Sequence, residues 1–444
     1  MIYRRMQCFI DEHELLSPYQ YGFRRLHSTD HAILDIVNTI QSNMDKKLFS
    51  CGVFIDLQKA FDTVNHDILL QKLHFYGFRG IINTWFKSYL HGRLQTTQIG
   101  ENICTKEHIT CEVPQGSVLG PLLFLMYIND IHNCSQKFHF FLFADDTNLI
   151  YADKNLRALE KTVNDELKNV YDWLSSNKLS LNTKKSNFVI FHPYQKKLTY
   201  KPNINMFDNA LKQNLSLECK DFIKYLGVLM DKNLTWKQHI EHVLSKISKT
   251  VGMIAKIRHF VPKHTLINIY NSLILPYLSY GLVIWGQACK TNWDCLLKLQ
   301  KRALRFIHFA KKQDHAIPLF VNSKILPINC LYYEHVVNLM HNIRNKRAPE
   351  HILNLFRETS DIHSYRTRSS TSQNFYIEKS NLEIQRTAFS RIGAKWWNEI
   401  PSCIKELPKT SFKEKIRNII LNMLDKENRY TNTDNINKNV KSYS

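Results

Sequence analysis

The residues best suited to chemistry are carboxylates at the ends of apolar runs. Phe140-Phe141-Leu142-Phe143-Ala144-Asp145-Asp146-Thr147 breaks a greasy stretch with two adjacent aspartates, and Phe54-Ile55-Asp56-Leu57 runs an apolar strand straight into one. Neighbouring carboxylates at a strand end repel each other, and a metal cation is the usual reason to tolerate them. If the two strands are neighbours, Asp56 meets Asp145 and Asp146 at one sheet edge. Three carboxylates could then hold two Mg²⁺ ions about 4 Å apart, the arrangement that serves phosphoryl transfer. Mg²⁺, or Mn²⁺ in its place, suits a site that offers a few carboxylates and leaves room for substrate phosphates. Taken singly, an Asp-Asp pair reads as a cap or a solvated turn; the two sites together favour the metal. Between them lies Val113-Pro114-Gln115-Gly116-Ser117-Val118-Leu119-Gly120-Pro121-Leu122-Leu123-Phe124. Its glycines allow close backbone approach, Gln115 offers a donor and an acceptor, and Pro121 opens a helix. Such a turn could wall a nucleotide pocket.

These groups need a scaffold. Apolar runs at 51–57, 138–143 and 188–191 have strand length, the last ended by Pro193, whereas Leu156, Leu159, Val163, Leu167, Val170 and Leu174 recur at helical spacing. The region 15–190 is therefore α+β. From Trp236 the pattern turns helical, with one stripe at Ile240, Val243, Leu244, Ile247, Val251 and Ile254 and another at Trp293, Leu296, Leu297, Ala303, Leu304 and Ile307. On the second, Lys298, Lys301, Arg302 and Arg305 form a basic stripe beside the apolar one; it reads as a polyanion contact or as a solvated face. Arg366, Arg368 and the Ser/Thr run at 369–372 mark a loop or linker, and the last 20 residues, rich in Asn and Lys, are expected to be disordered.

Charge is unevenly divided. Of a net +21 over 444 residues, positions 1–240 hold 28 basic and 24 acidic side chains (+4), and positions 241–444 hold 32 and 15 (+17). A polyanion is the expected partner, gripped mainly by the C-terminal half. Ten cysteines without a C-x-x-C pair argue against a structural zinc site and against a disulfide framework, and read as reduced core cysteines. The first nine residues lack the sustained apolar run of a secretory signal. The stretch 265–289 has no formal charge, but Asn268, Asn271, Ser272, Pro276, Ser279 and Gln287 favour a buried helix pair broken at Pro276 over a membrane span.

The order of motifs resembles a known family. F-I-D-L-Q-K-A-F-D at 54–62, V-P-Q-G-S-V-L-G-P-L-L-F at 113–124 and F-A-D-D at 143–146 are similar to the A, B and C motifs of reverse transcriptases, in the wording of jockey-type non-LTR retrotransposons. L-S-L-N-T-K-K-S at 179–186 and Y-L-G-V at 225–228 resemble motifs D and E. The likeness extends to S-P-Y-Q-Y-G-F-R at 17–24, D-T-V-N-H at 62–66, L-Q-K-R-A-L-R at 299–305 and A-K-W-W-N-E-I-P at 394–401.

The resemblance implies a right-hand polymerase fold: partial fingers at 1–50, a palm with an antiparallel sheet and motifs A to E at 51–235, a helical thumb-like region at 236–345, a basic C-terminal helical region at 346–424 and a disordered tail at 425–444. It implies that Asp56, Asp145 and Asp146 are catalytic metal ligands, that Phe61 lies under the sugar and excludes a 2′-hydroxyl, and that Gln115 and Gly116 line the nucleotide pocket. Lys185 becomes a candidate proton donor to pyrophosphate, or else a surface lysine. Tyr225, Leu226 and Gly227 would grip the primer, and Arg24 with the stripe at Lys298, Lys301, Arg302 and Arg305 would contact nucleic acid. The implied reaction is RNA-directed DNA polymerisation, with an RNA template, a DNA primer and deoxynucleoside triphosphates as partners and a ribonucleoprotein in nucleus and cytoplasm as the setting. Ser186 stands where the family commonly has Thr. The family's R-P-I-S-L segment and endonuclease would precede Met1, so either a 5′-truncated copy or a partial gene model is expected, the latter with an endonuclease encoded upstream. The alternative readings are a catalytically silent nucleic-acid-binding remnant and a palm-type RNA polymerase, the latter opposed by Phe61.

Overall fold

Seven successive residues, Phe49–Ile55 (β1), are all buried, as expected of a strand with neighbours on both sides. In the computed structural model, which describes residues 1–208, 213–359, 374–379 and 382–427 together with Ile436 and Val440, β1 is the centre of a five-stranded sheet. Its partners are β2 (His139–Phe143), β3 (Asp146–Asp153), β4 (Asn187–Phe191) and β5 (Glu218–Cys219), in the order β5-β4-β1-β3-β2. All pairings are antiparallel except β5 on β4. Gly52 has no room for a side chain: an added Cβ would stand 2.9 Å from the Phe191 ring and 3.0 Å from Ile150.

The helix Leu156–Ser176 starts where the Asn155 side chain accepts from the Arg157 amide. Leu156, Leu159, Val163, Leu167, Val170 and Leu174 are its buried face, laid on β1 and β3. Each such side chain contributes about 2 kcal/mol of apolar burial. The helix Gly120–Ile128, with Pro121 in its first turn, is buried on all sides from Leu122 onward. These elements belong to one compact unit, Met1–Ala32 with Lys47–Asp221.

The second unit, Ile33–Lys46 with Phe222–Ser444, is helical apart from a hairpin, β6 (Phe222–Tyr225) and β7 (Val228–Asp231). After it, the buried Asp231 carboxylate accepts from the amides of Thr235 (3.0 Å) and Trp236 (2.9 Å), shaping the turn into the helix Lys237–Ile257. That helix packs against Lys290–His308. Gln300, fully buried, ties the second helix to its surroundings through Tyr270 Oη (2.9 Å) and the Ile328 amide (2.8 Å). Helix Ile328–Arg344 packs on Phe389–Glu399 and Lys409–Glu427. There Arg417 meets Glu334, whose carboxyl is pushed up by burial and pulled back by that guanidinium.

Several expectations are corrected. The uncharged stretch 265–289 is more than a helix pair broken at Pro276. It is three short helices, Lys263–Leu273, Leu275–Ser279 and Leu282–Trp285. The break before Pro276 is present, with the proline in the first turn of the second helix, where its missing N–H costs nothing, and a second break follows at Gly281 (φ +63°). Among the described residues no helix is long and apolar enough to cross a membrane. Only Cys51 and Cys330 are core cysteines; Cys134 is half-buried and the other seven are exposed. The compact units part between Asp221 and Phe222, and helix Lys409–Glu427 takes in the first three residues of the tail expected from 425. The rest of that tail except Ile436 and Val440, and the polar loop at 366–372, lie outside the described residues.

Candidate active site

The register of the sheet brings the two acidic motifs together. Ile55 pairs with Thr147 across β1 and β3, so one further step sets Asp56 opposite Asp146. Phe143 pairs with Asp146 across β2 and β3, which leaves Ala144 and Asp145 as a two-residue turn. Ala144 is left-handed there (φ +55°), a conformation that disfavours residues with a Cβ. The turn thus puts Asp145 and Asp146 at the tip of a hairpin beside the end of β1, and both remain solvent-accessible. Even so, the Asp146 carboxyl is crowded. Loss of surrounding water, then the charges of Asp145 and Asp56, push it up to about 6. A carboxylate held reluctantly ionised by two like charges is a setting in which a cation is favoured. Among the described residues no three His, Cys, Asp or Glu side chains are grouped tightly enough to hold an ion by themselves.

Motif D lies against the same strand end. Asn182 N donates to Asp56 O (2.8 Å), Gln58 N donates to Ser180 O (2.8 Å), and the Ser186 hydroxyl accepts from Asp56 N (3.2 Å) while donating to Asn182 O (2.9 Å). The Ser186 hydroxyl is what this contact uses, and a threonine would supply the same group. Lys185 Nζ stands 4.0 Å from Asp56 Oδ2 on a largely exposed side chain.

Motif B is held by the segment after motif A. Val113 N donates to Phe61 O (3.1 Å) and Glu112 N to Val64 O (2.9 Å), while Asn65 caps the helix His66–Phe75 and His66 Nε2 meets Glu112 O (2.8 Å). D-T-V-N-H therefore positions V-P-Q-G, a role the spacing alone does not reveal. Phe61, half-buried, stacks on Phe124 with centroids 4.4 Å apart. The Gln115 amide reaches Asp62, Gly116 has φ +75°, and a Cβ on Gly120 would stand 2.8 Å from Pro114 O.

Arg24 spends Nη1 on the carbonyls of Ser17 (2.7 Å) and Gln20 (3.3 Å), and burial lowers its pKa. It thus braces its own loop. In the second unit, Tyr225, Leu226 and Gly227 form the corner of the β6–β7 hairpin, with φ +43° at Leu226 and +84° at Gly227, the pair of positive values that suits a two-residue hairpin turn. Tyr280 Oη donates to Leu226 O (2.5 Å) and supports it. On helix Lys290–His308, Lys298 and Arg302 are exposed, Lys301 and Arg305 half-buried. Arg305 holds Asp314 O (2.9 Å from Nη2). Arg302 lies over Phe306 (5.4 Å) and Arg258 over Phe306 and Phe309 (5.4 and 5.3 Å), with Phe309 and Phe260 exposed. Arg258 shares the Phe306 ring with Arg302, a contact not legible from the stripe's spacing because Arg258 follows a different helix, Lys237–Ile257.

A mixed helix–sheet domain with paired strand-end carboxylates defines a class, and comparison with known proteins places the chain in it. The family described as reverse transcriptase (RNA-dependent DNA polymerase) matches residues 1–230, and the chain belongs to that family. Among curated proteins it is similar to "Probable RNA-directed DNA polymerase from transposon BS" of Drosophila melanogaster, 28% identical over 69% of this chain and 34% of the relative. It is likewise similar to "RNA-directed DNA polymerase from mobile element jockey" of the same species, 27% identical over 69% and 34%. The chain spans about a third of the length of these relatives. A solved structure of apo telomerase from Candida tropicalis aligns at a TM-score of 0.41 and 12% identity, over 79% of this chain and 58% of that one.

Proposed function

We propose that this chain is the polymerase part of a LINE-type mobile element and carries out RNA-directed DNA synthesis, adding deoxynucleotides to a primer 3′-hydroxyl. The observation that carries the reading is the register that sets Asp56 opposite Asp146 with Asp145 at the adjoining turn. Asp56, Asp145 and Asp146 would hold Mg²⁺ or Mn²⁺, which when bound supply the Lewis acidity for nucleotidyl transfer. The protein's own work is positioning. Phe61, fixed by its stack on Phe124, would lie under the sugar and exclude a 2′-hydroxyl. Gln115 and Gly116 would line the nucleotide pocket, Gly116 because it leaves open space where a side chain would stand. Lys185, beside Asp56, would be the candidate proton donor to the departing pyrophosphate.

On this reading the first unit is the palm with part of the fingers, and the helices after 236 are thumb-like, with Tyr225, Leu226 and Gly227 as the primer grip. The basic residues Lys298, Lys301, Arg302 and Arg305 would grip template and primer phosphates, which fits the +17 of positions 241–444. Its cellular setting would be a ribonucleoprotein of nucleus and cytoplasm. The test is extension of a DNA primer on an RNA template with Mg²⁺, comparing deoxynucleotides with ribonucleotides and measuring RNA binding alongside. Incorporation of deoxynucleotides is expected. RNA binding without incorporation would make the chain a silent nucleic-acid-binding remnant, and equal use of ribonucleotides would make it an RNA polymerase.

A further inference from the structure

The segment Q-Y-G-F-R at 20–24 has no part in the chemistry described above, yet it meets the carboxylate turn directly. Residues 19–21 run beside the edge strand β2: Tyr21 N donates to Leu142 O (2.8 Å) and Leu142 N to Tyr19 O (3.0 Å), with Gln20 and Leu142 bridged in parallel. Gln20 is 2% exposed. Its Oε1 accepts two hydrogen bonds, from Gly22 N (2.7 Å) and from Ala144 N (3.0 Å). Gly22 is required by the same contact, since a Cβ there would stand 2.4 Å from Ala144 N.

We propose that Gln20 is a positioning residue for the carboxylate hairpin, its side-chain oxygen holding Ala144 in the left-handed conformation from which Asp145 and Asp146 project. The physical need is plain. A two-residue turn whose first residue has positive φ normally takes glycine, and alanine there costs about 1 kcal/mol or more. An outside acceptor for the Ala144 amide offsets that cost and selects one turn geometry. The clamp is itself anchored: Arg24 holds Ser17 O and Gln20 O, and Asn129, at the end of the helix Gly120–Ile128, accepts from Ser17 N (2.7 Å) and donates to Leu15 O (2.7 Å). Gln20 Nε2 is buried with no hydrogen-bond partner, so the oxygen alone carries the contact. The consequence for metal binding and catalysis rests on the proposed function; the effect on the turn does not.

The test uses the full chain with Gln20→Met, which keeps the length and removes the acceptor. Amide exchange in peptides covering 140–150 should accelerate about tenfold or more, Mn²⁺ affinity, read from free Mn²⁺ by paramagnetic resonance, should weaken about tenfold, and kcat should fall with the KM for deoxynucleotide little changed. Gln20→Glu retains an acceptor at the same place and should keep the exchange protection; it decides the matter if Gln20→Met does not fold. Unchanged exchange and Mn²⁺ affinity in folded Gln20→Met would overturn the proposal, as would loss of protection in folded Gln20→Glu. A wild type that binds no Mn²⁺ would count against the metal reading, and exchange at Ala144 would still decide the role of Gln20.

Discussion

At the scale of residues, the site depends on keeping like charges together. Asp56, Asp145 and Asp146 were legible because an apolar strand that ends in acid is a costly pattern with few uses, and three such residues in two motifs narrow those uses further. Ser186 was visible only as a small variation, yet its hydroxyl bridges Asp56 N and Asn182 O. Gln20 could not be read at all as part of the site: a side-chain bond across 124 residues leaves no local periodicity. The prediction at this scale concerns Phe61. Trimming it to alanine removes the ring stacked on Phe124 and should let ribonucleotides in, shrinking the preference for deoxynucleotides by about tenfold, roughly the 1.4 kcal/mol that a pocket contact supplies. Competing dNTP and rNTP incorporation checks this, and an unchanged ratio would remove Phe61 from the role of sugar gate.

At the scale of elements, the strongest periodicities were the most legible. All six apolar residues expected on the helix Leu156–Ser176 form its buried face, because a stripe of leucines and valines has one way to be covered. The stretch 265–289 was harder, since uncharged polar residues and a proline fit a broken pair as well as three short helices; Gly281 with its positive φ decides it. The helix Lys290–His308 shows its apolar face as expected, but its basic face is partly engaged, with Arg305 on Asp314 O and burial lowering the Lys301 pKa ahead of repulsion from Arg305. Replacing Lys298, Lys301, Arg302 and Arg305 together by alanine should weaken RNA binding similarly for all sequences and flatten its salt dependence by up to about four in log–log slope. Fluorescence anisotropy across a salt series measures both, and an unchanged slope would make the stripe a solvated face.

At the scale of the molecule, the uneven charge and the two compact units tell the same story: a nearly balanced unit carries the carboxylates, and the excess positive charge lies mainly beyond it. Each unit also holds a buried neutral histidine. Burial first, with His27 as a lesser cause, lowers His31 to about 4, and burial with His242 does the same to His239. The ordinary value near 6.5 returns on unfolding, so the folded pKa is the lower one. Stability from this source is therefore complete above about pH 6.5 and is lost as pH falls toward 4, by about 2 kcal/mol per histidine at pH 5. Urea midpoints at pH 7.5 and pH 5 should show the loss, and His239→Gln should reduce it; a midpoint independent of pH would mean the two rings are solvated.

The central claim is that Asp56, Asp145 and Asp146 together make this chain an RNA-directed DNA polymerase. Its most direct test is Mg²⁺-dependent incorporation of deoxynucleotides on a primed RNA template by the wild type and by Asp145→Ala, with folding and RNA binding verified for both. Measurable incorporation by the wild type and a loss of about a thousandfold or more in the variant are expected, with RNA binding retained. No incorporation by the wild type, or equal rates in the two proteins, would contradict it.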